Sequence, residues 1–250
     1  MRTTFAHWMW RGALPALVTL AGASRAEAVQ DPRGDETPRI ARVTEEDVNA
    51  SNRKIESAYT AIIQMWTDEF GRRGERFVAP SLLRYRGAVR TSCGVLPSGN
   101  ALYCPSRNAV FFDELFVARQ AKDAASELGT DGDMVSIGII AHEVGHAVAA
   151  QLGEMSRIPY ENEATADCLA GVFARHAQKD GSLEKGDLEE ALYGMKAAAD
   201  PTPQLTGDQR RDARILLASR LLGHGSGAQR TSSFQRGFEG GGGACVESLQ

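Results

Sequence analysis

The chain has 250 residues, of which 42% are hydrophobic and 24% are charged, and its formal net charge is −4 at neutral pH. That length and hydrophobic content suffice for one domain with a sizeable core. A mildly acidic chain has no electrostatic reason to bind nucleic acid or an anionic membrane surface. We therefore expect no nucleic-acid partner, and a membrane partner only through the N-terminal segment.

Residues 1–28 are typical of an export signal. Arg2 and Arg11 flank a basic start, residues 12–23 are apolar, and Ala26-Glu27-Ala28 has the small-x-small pattern of a signal-peptidase site. The apolar stretch is shorter than the roughly 20 residues of a transmembrane helix, but an uncleaved N-terminal anchor is the alternative. Both interpretations predict a domain outside the cytoplasm: periplasmic, secreted, or anchored by its N-terminus.

A flexible linker is predicted at 29–43, because this segment is rich in proline, glycine and charge. The main domain is predicted at 44–239, with a Gly-rich tail at 240–250. Thr44 with Asp47 three residues later has the pattern of a capping box, which predicts a long helix ending near Gly71.

The middle of the chain predicts a change from helix to strand and back. Four short runs punctuated by proline and glycine predict a small antiparallel sheet within 76–117. The predicted strands lie at 77–79, 88–90, 101–103 and 109–112. Further helices are predicted at 135–152, 160–176, 183–199 and 209–222. The fold class is α+β, a small antiparallel sheet packed on a mainly helical domain.

Four cysteines fit an oxidising compartment. Cys93 and Cys104 bracket a segment rich in turn-forming residues, so a disulfide there would clamp a hairpin or loop. Cys168 and Cys245 would then tie the C-terminal tail to a helix. Three connectivities are possible for four cysteines, and a zinc–cysteine site is an alternative that the lack of a C-x-x-C pair disfavours.

His142-Glu143-Val144-Gly145-His146 is the most informative motif. The H-E-x-x-H spacing places two imidazoles one helical turn apart, where they can bind one Zn²⁺ while Glu143 reaches a water on the open side of the metal. Gly145 is unfavourable inside a helix and therefore predicts that another element packs closely there. Two core histidines with ordinary hydrogen bonds would be the alternative explanation.

The next predicted helix supplies the rest of a metal site. Glu163 and Asp167 lie at i and i+4 on one face. Zinc bound by two histidines needs a third protein ligand, which Glu163 can provide. Asp167 is placed to accept the free ring N–H of a liganding histidine and to fix its tautomer. A solvated acidic helix face is the alternative for these two carboxylates.

H-E-x-x-H followed by N-E-x-x-x-D resembles the gluzincin metallopeptidases, and the chain more narrowly resembles the bacterial putative neutral zinc metallopeptidase family. The resemblance covers about 45–247 and rests on several segments. They are Cys93-Gly94, Tyr103-Cys104-Pro105, Ala141-His142-Glu143-Val144-Gly145-His146, Ala166-Asp167-Cys168, Ala170-Gly171-Val172, His224-Gly225-Ser226, Gln229-Arg230 and Arg236-Gly237-Phe238-Glu239. Ala147 stands where the family usually has a further histidine, which affects no expected ligand.

The resemblance implies a zincin-like fold and one Zn²⁺ with His142, His146 and Glu163 as ligands. It also implies Glu143 as general base and Asp167 as the carboxylate behind a ligand. A histidine or tyrosine outside the ligand set stabilises the oxyanion in gluzincins, and His224 is the candidate, with Tyr160 and Tyr193 as alternatives. A loop histidine with a structural hydrogen bond is the other explanation for His224. His176 is expected at the surface.

The expected activity is zinc-dependent hydrolysis of a peptide bond in a peptide or protein substrate. An extended substrate is expected to pair with an exposed edge strand, for which the strand near Ala109–Phe112 is one candidate. Two alternatives remain open at this point. One is an exported zincin-like binding or chaperone module with structural zinc, and the other is a zinc amidase that acts on cell-wall peptides.

Overall fold

The computed structural model describes residues 42–249. The predicted signal or anchor and nearly all of the predicted linker lie outside the described residues. The elements follow in chain order: α1 Glu45–Arg72, β1 Ser81–Tyr85, β2 Val89–Thr91, β3 Gly94–Leu96, β4 Ala101–Cys104, β5 Ala109–Asp113, α2 Glu114–Leu128, α3 Asp133–Leu152, α4 Pro159–Asp180, α5 Asp187–Ala197, α6 Gln209–Leu222 and α7 Gly227–Gly240. The fold class is α+β, as predicted, with helices dominating the described part of the chain.

Helix α1 begins at the predicted capping box. The Asp47 amide donates to the Thr44 hydroxyl at 3.2 Å, and the Thr44 amide donates back to the Asp47 carboxylate at 2.7 Å. These bonds satisfy amides that the first helical turn leaves unpaired. Ile55, Ile62 and Trp66 follow at helical spacing and are buried in the central core. α1 thus packs one apolar face against α2 and α3.

The sheet is mixed, so the prediction of an antiparallel sheet is wrong. β5 lies in the centre, parallel to β1 and antiparallel to β4, while β2 and β3 form a separate antiparallel pair. Apolar runs do not specify strand direction. Here the chain passes through β2–β4 before β5 returns beside β1. The predicted strand at 77–79 is also wrong, because Phe77 instead packs its ring against Phe70 in the core.

Helix α3 is the centre of the domain. Fourteen of its 20 residues are buried, and it contacts α1, α2, α4, α5 and two strands. Its length and apolar composition would also suit a membrane span, but most of its most apolar stretch is buried inside the described domain. α3 is therefore a core helix that carries the H-E-x-x-H motif into the interior.

Helices α2 and α7 were not predicted. α7 begins at a second capping box formed by Ser226 and Gln229, but its glycines disfavour a helix. Close packing between α7 and α4 explains Gly237 of α7 and Gly171 of α4. A Cβ on Gly237 would lie 1.8 Å from the Cys168 carbonyl oxygen of α4, and a Cβ on Gly171 would lie 2.0 Å from the Phe234 carbonyl oxygen. Only glycine permits this close approach of two helices.

The C-terminal segment packs against this helix pair. Beyond α7 the chain forms two short 3-10 helices, Gly242–Ala244 and Glu247–Leu249. Cys245 between them is bonded to Cys168 of α4, and Val246 is buried. The segment predicted as a Gly-rich tail is thus held to the domain, at least to residue 249.

Candidate metal centre

The site forms where α3 crosses α4, and Gly145 allows the crossing. A Cβ on Gly145 would lie 2.9 Å from the Ala166 carbonyl oxygen and 3.1 Å from the Ala166 Cα. The close packing that the sequence predicts at Gly145 is therefore present, and its partner is the backbone of α4. This contact brings the two histidines of α3 opposite the carboxylates of α4.

The three predicted ligands converge. The Nε2 atom of His142 lies 3.3 Å from Glu163 Oε2, and the Nε2 atom of His146 lies 3.5 Å from Glu163 Oε1. The two imidazole rings are 4.7 Å apart and nearly perpendicular, at 87°. One ligand atom from each residue lies within 4.8 Å of the others. Two imidazole nitrogens and a carboxylate in this arrangement are the ligand types that zinc prefers.

Asp167 fixes the orientation of His142. The His142 Nδ1 atom lies 2.8 Å from Asp167 Oδ1, so a proton on Nδ1 leaves the Nε2 lone pair free to bind a metal. Asp167 is fully buried, and a buried carboxylate needs partners. The predicted role of Asp167 as the residue behind a ligand matches this geometry.

Arg230 of α7 is the second partner of Asp167, and the sequence assigned it no role. Its guanidinium donates to both Asp167 oxygens, at 2.9 Å from Nε and 2.6 Å from Nη2, and Nη1 donates to the Ala198 carbonyl at 2.9 Å. Such two-point pairing is the strongest geometry for a buried carboxylate. The sequence feature that could have indicated a role for Arg230 is the Gln229-Arg230 pair, one of the segments on which the family resemblance rests.

Burial and charge oppose each other in this cluster. Burial favours a higher pKa for Asp167, but hydrogen bonds from Arg230 and the neighbouring His142 outweigh it and hold that pKa below its usual value. Burial likewise favours a higher pKa for Glu163, and hydrogen bonds from protonated His142 and His146 reverse the effect; a metal bound here would take the place of those ring protons. Both carboxylates are therefore anionic near neutral pH, as ligand and orienting groups require.

Glu143 follows His142 on α3, next to the triad formed by His142, His146 and Glu163, and one of its carboxylate oxygens is already bound. The backbone N–H of Tyr103, on the edge strand β4, donates to Glu143 Oε2 at 2.7 Å in a buried contact. This bond holds the carboxylate in one orientation and leaves its other oxygen for a further partner. The Tyr103 amide has no side-chain signature, so the sequence could not have identified this contact.

His224 lies on an exposed loop between α6 and α7. Within residues 42–249 its ring contacts no predicted ligand; its Nδ1 atom lies 3.4 Å from Asp200 Oδ1. Asp200 also accepts the His224 and Gly225 amides, so this carboxylate holds the loop in place. The ring of Tyr160 packs against Gly225, whereas Tyr193 is half-buried on α5.

A cavity of about 400 Å³ adjoins the His224 loop. Tyr160 forms one wall, and it lies three residues before Glu163 on α4, on the same side of the helix. Leu216 and Arg220 of α6 form the opposite wall. His176, by contrast, is exposed on α4, and its partner among residues 42–249 is Asp180.

The four cysteines form two disulfides in the predicted pairs. Cys93 is bonded to Cys104 and Cys168 to Cys245, and no free cysteine occurs among the described residues. Cys104 directly follows Tyr103, and Cys168 directly follows Asp167. Each disulfide therefore fixes the backbone next to a residue that touches the site.

A second cluster of ligand-type side chains lies at the start of α3. Asp131, Asp133, Asp187 and Glu190 place carboxylate oxygens within 4.8 Å of one another. Their charges already have partners in the protein. Lys54 pairs with Asp131 and Asp133. Glu190 accepts the Gly132 and Met134 amides at 2.9 Å each.

Comparison with known proteins gives a family and two relatives. The chain matches the family described as putative neutral zinc metallopeptidase over residues 14–249. It is 37% identical over 192 residues to the uncharacterized protein YpfJ of Escherichia coli K12. The aligned region covers 70% of this chain and 63% of YpfJ. YpfJ of Escherichia coli O6:H1 gives the same values. The chain thus spans less than two thirds of the length of these curated relatives.

No solved structure matches the chain. The family match extends over most of the sequence and includes both helices that form the triad. This chain therefore belongs to the putative neutral zinc metallopeptidase family.

Proposed function

We propose that this protein is a zinc-dependent peptidase that hydrolyses internal peptide bonds outside the cytoplasm. One observation carries the proposal: ligand atoms of His142, His146 and Glu163 converge within 4.8 Å, and Glu143 follows His142 on α3, the helix that carries both histidines. Family membership supports a metallopeptidase in general terms. The identity of the ligands, the role of Glu143 and the location of the protein are our inferences.

The three side chains fit one zinc ion. Two neutral imidazoles and a carboxylate match the ligand set of catalytic zinc sites, which keep a fourth position open. Asp167 at His142 Nδ1 directs the other ring nitrogen toward Glu163. A purely structural zinc site usually fills its fourth position with a protein ligand. Among the described residues, only these three group together at this position.

Zinc bound there would polarise the scissile carbonyl and lower the pKa of a bound water toward about 7. The protein residues supply the proton transfers. Glu143, held by the Tyr103 amide, would take the proton from the attacking water through its free oxygen and pass it to the leaving amine. Asp167 and Arg230 keep His142 in the orientation that this arrangement requires.

The substrate is proposed to pair with β4. The expected edge near Ala109–Phe112 is wrong, because β5 is paired on both sides. β4 is paired with β5 on one side only. Its other side faces the site, since the Tyr103 amide points to Glu143. An extended peptide added to this edge would pair with backbone groups of β4 other than the Tyr103 amide, which Glu143 occupies, and would bring its backbone past Glu143.

His224 is our candidate for stabilising the negative oxygen that develops during attack. The Asp200 carboxylate orients its ring and its backbone, which is the support that a preorganised donor needs. The cavity lined by Tyr160 and Leu216 adjoins the same loop. A substrate side chain next to the scissile bond would fit this space.

Two disulfides support an oxidising environment, and with it an exported domain. A signal peptide or an anchor at 1–28 would account for the export. Release from or attachment to the membrane depends on cleavage after Ala28. Mass spectrometry of the protein recovered from its own host would show whether that bond is cut.

A peptide-library digest tests the proposed function. Zinc-loaded protein should cleave members of the library, a chelator should abolish cleavage, and added zinc should restore it. Glu143→Gln should bind zinc and cleave peptides about 10²- to 10⁴-fold more slowly. One bound zinc with no cleavage of any peptide would contradict the proposal and favour a binding module. Release of fragments only from purified murein would favour a cell-wall amidase.

A further inference from the structure

Helix α6 has an outward surface that nothing in the described protein covers. It is the only one of the seven α-helices within residues 42–249 that has no buried residue. Leu217 is 56% exposed, Leu221 43% and Leu222 83%. Leu216 is also 48% exposed, and leaving leucines in water costs hydrophobic free energy.

Arginines lie among these leucines. At about 100° per residue, Arg210, Arg214, Leu217 and Leu221 fall within about 60° around the helix axis. The single acid of α6, Asp212, lies on the opposite side and accepts hydrogen bonds from Thr206 and Gly207. Arg211 lies about 60° beyond this arc, beside the exposed Leu222. We call the outward surface formed by Arg210, Arg211, Arg214, Leu217 and Leu221 the α6 face. The α6 face carries three positive charges and no negative charge.

The charges of the α6 face are unused within the described chain. None of its three arginines is in an ion pair with another residue of 42–249, whereas Arg220, nearer the body of the protein, pairs with Glu161 at 2.8 Å. This contrasts with the protein as a whole, which has a net charge of −4. The α6 face is therefore a local cationic and apolar patch on an acidic protein.

We propose that the α6 face docks on an anionic lipid surface. Such a surface satisfies both kinds of side chain, because phosphate groups pair with arginines while leucines enter the boundary of the acyl chains. Arginine can bury its methylene groups and keep its charge at the headgroups. A nucleic acid would pair with the arginines and leave the leucines in water. A symmetric contact between two copies would place arginine against arginine.

Docking on an anionic lipid surface differs from the expectation drawn from net charge. The net charge argued against an anionic membrane partner, but net charge averages over patches of opposite sign. Docking through α6 is independent of the N-terminal segment and of peptidase activity. Leu216 and Arg220 on the neighbouring side of α6 line the cavity beside His224. Docking would thus leave that cavity uncovered, about one helix width from the membrane surface.

Vesicle binding by the full chain tests the proposal. The vesicles are phosphatidylcholine alone, or phosphatidylcholine mixed with phosphatidylglycerol. Replacing Arg210, Arg211 and Arg214 by glutamine should lower the partition coefficient for the mixed vesicles on the order of 100-fold. The matched control replaces three exposed arginines without ion pairs, Arg76, Arg90 and Arg107, and should change it little. Equal losses in the two variants, or no loss in either, would overturn the proposal.

A depth probe separates lipid insertion from simple charge attraction. Leu221→Trp should show a blue-shifted emission with mixed vesicles and quenching by brominated acyl chains. Ser57→Trp, on α1 and away from α6, should show neither the blue shift nor the quenching. Unquenched Leu221→Trp emission would overturn insertion. If the Arg210/Arg211/Arg214 variant instead lost affinity for an oligonucleotide, or lost self-association, with unchanged vesicle binding, the α6 face would belong to that other partner and the lipid proposal would be wrong.

Discussion

The two ends of α3 carry two clusters of potential metal ligands that differ in how their charges are used. At its N-terminal end, four carboxylates are close together, but they already pair with Lys54 and with backbone amides at the start of the helix. In its C-terminal half, His142 and His146 face Glu163. Asp167 contacts the other ring nitrogen of His142, on the side away from Glu163. Proximity alone therefore does not identify a metal site.

The hydrogen-bond partners of the side chains explain the difference between the two clusters. Glu190 accepts the amides at the start of α3, where the helix dipole favours negative charge. Because these charges already have partners in the protein, we expect that cluster to be structural. In the triad, the bonds to Asp167 orient a ring nitrogen toward the shared centre, and no backbone group occupies that nitrogen. We expect substitutions at the two ends of α3 to affect different properties of the protein.

The largest effect is expected for the proposed general base. Glu143→Gln removes proton transfer but keeps the size of the side chain and an acceptor for the Tyr103 amide. Peptide hydrolysis should fall by about 10²- to 10⁴-fold, with zinc content and melting temperature close to those of the unchanged protein. Kinetics on a fluorogenic peptide measure the loss. Full activity in this variant would remove Glu143 from the mechanism.

Arg230→Ala should be the most destabilising change near the triad. It leaves the buried Asp167 carboxylate without its guanidinium partner, and breaking such a pair costs about 3–5 kcal/mol. Zinc affinity should also fall about 10- to 100-fold, because Asp167 orients His142. Denaturant unfolding and competition with a zinc chelator measure the two effects. Arg175→Ala, on the outer side of the α4–α7 pair, is the control and should leave zinc affinity unchanged.

At the acidic end, Glu190→Ala should affect stability but not zinc binding. The change leaves the Gly132 and Met134 amides without their acceptor, which costs about 1–3 kcal/mol for each buried group. Glu190→Gln keeps one acceptor and should cost less. Urea unfolding of the two variants gives the order. Loss of zinc from either variant would show that the two ends of α3 are not separate.

The smallest effect is expected from Asp187, and it depends on pH. Burial raises the pKa of Asp187 to about 6, and the charges of Asp133 and Glu190 act in the same direction. The folded protein therefore holds this proton more tightly than the unfolded chain does. Its contribution to stability is present below about pH 4 and is lost as the pH rises through about 6.

Asp187→Asn removes that titration. The variant should be more stable than the unchanged protein at pH 7.5, by about 1–2 kcal/mol, and the difference should disappear near pH 4. Thermal unfolding across this range measures it. A difference that does not depend on pH would show that Asp187 is not the group that titrates.

Much of the candidate site was predicted from local spacing. H-E-x-x-H puts His142 and His146 on one side of α3, and the i, i+4 pair puts Glu163 and Asp167 on one side of α4. Gly145 indicated the close crossing between them. These features lie within one or two helical turns, where sequence spacing determines geometry.

The missed features depend on long-range packing. Arg230 lies 63 residues from Asp167, and the Tyr103 amide that holds Glu143 belongs to no side chain. The predicted strand direction was wrong because the alternation of apolar and polar residues indicates which face of a strand is buried. It does not indicate which strand is the neighbour or in which direction that neighbour runs. α7 was missed because Gly237 lowers helix propensity, although the contact with the Cys168 carbonyl requires it.

Zinc stoichiometry tests the central distinction between the two clusters most directly. Elemental analysis of the purified full chain should give one zinc per molecule. Glu163→Ala should lose it, and a variant with Asp131→Asn and Asp133→Asn should keep it. Zinc retained in full by Glu163→Ala, or lost from the variant at the acidic end, would contradict the assignment of the metal site to His142, His146 and Glu163.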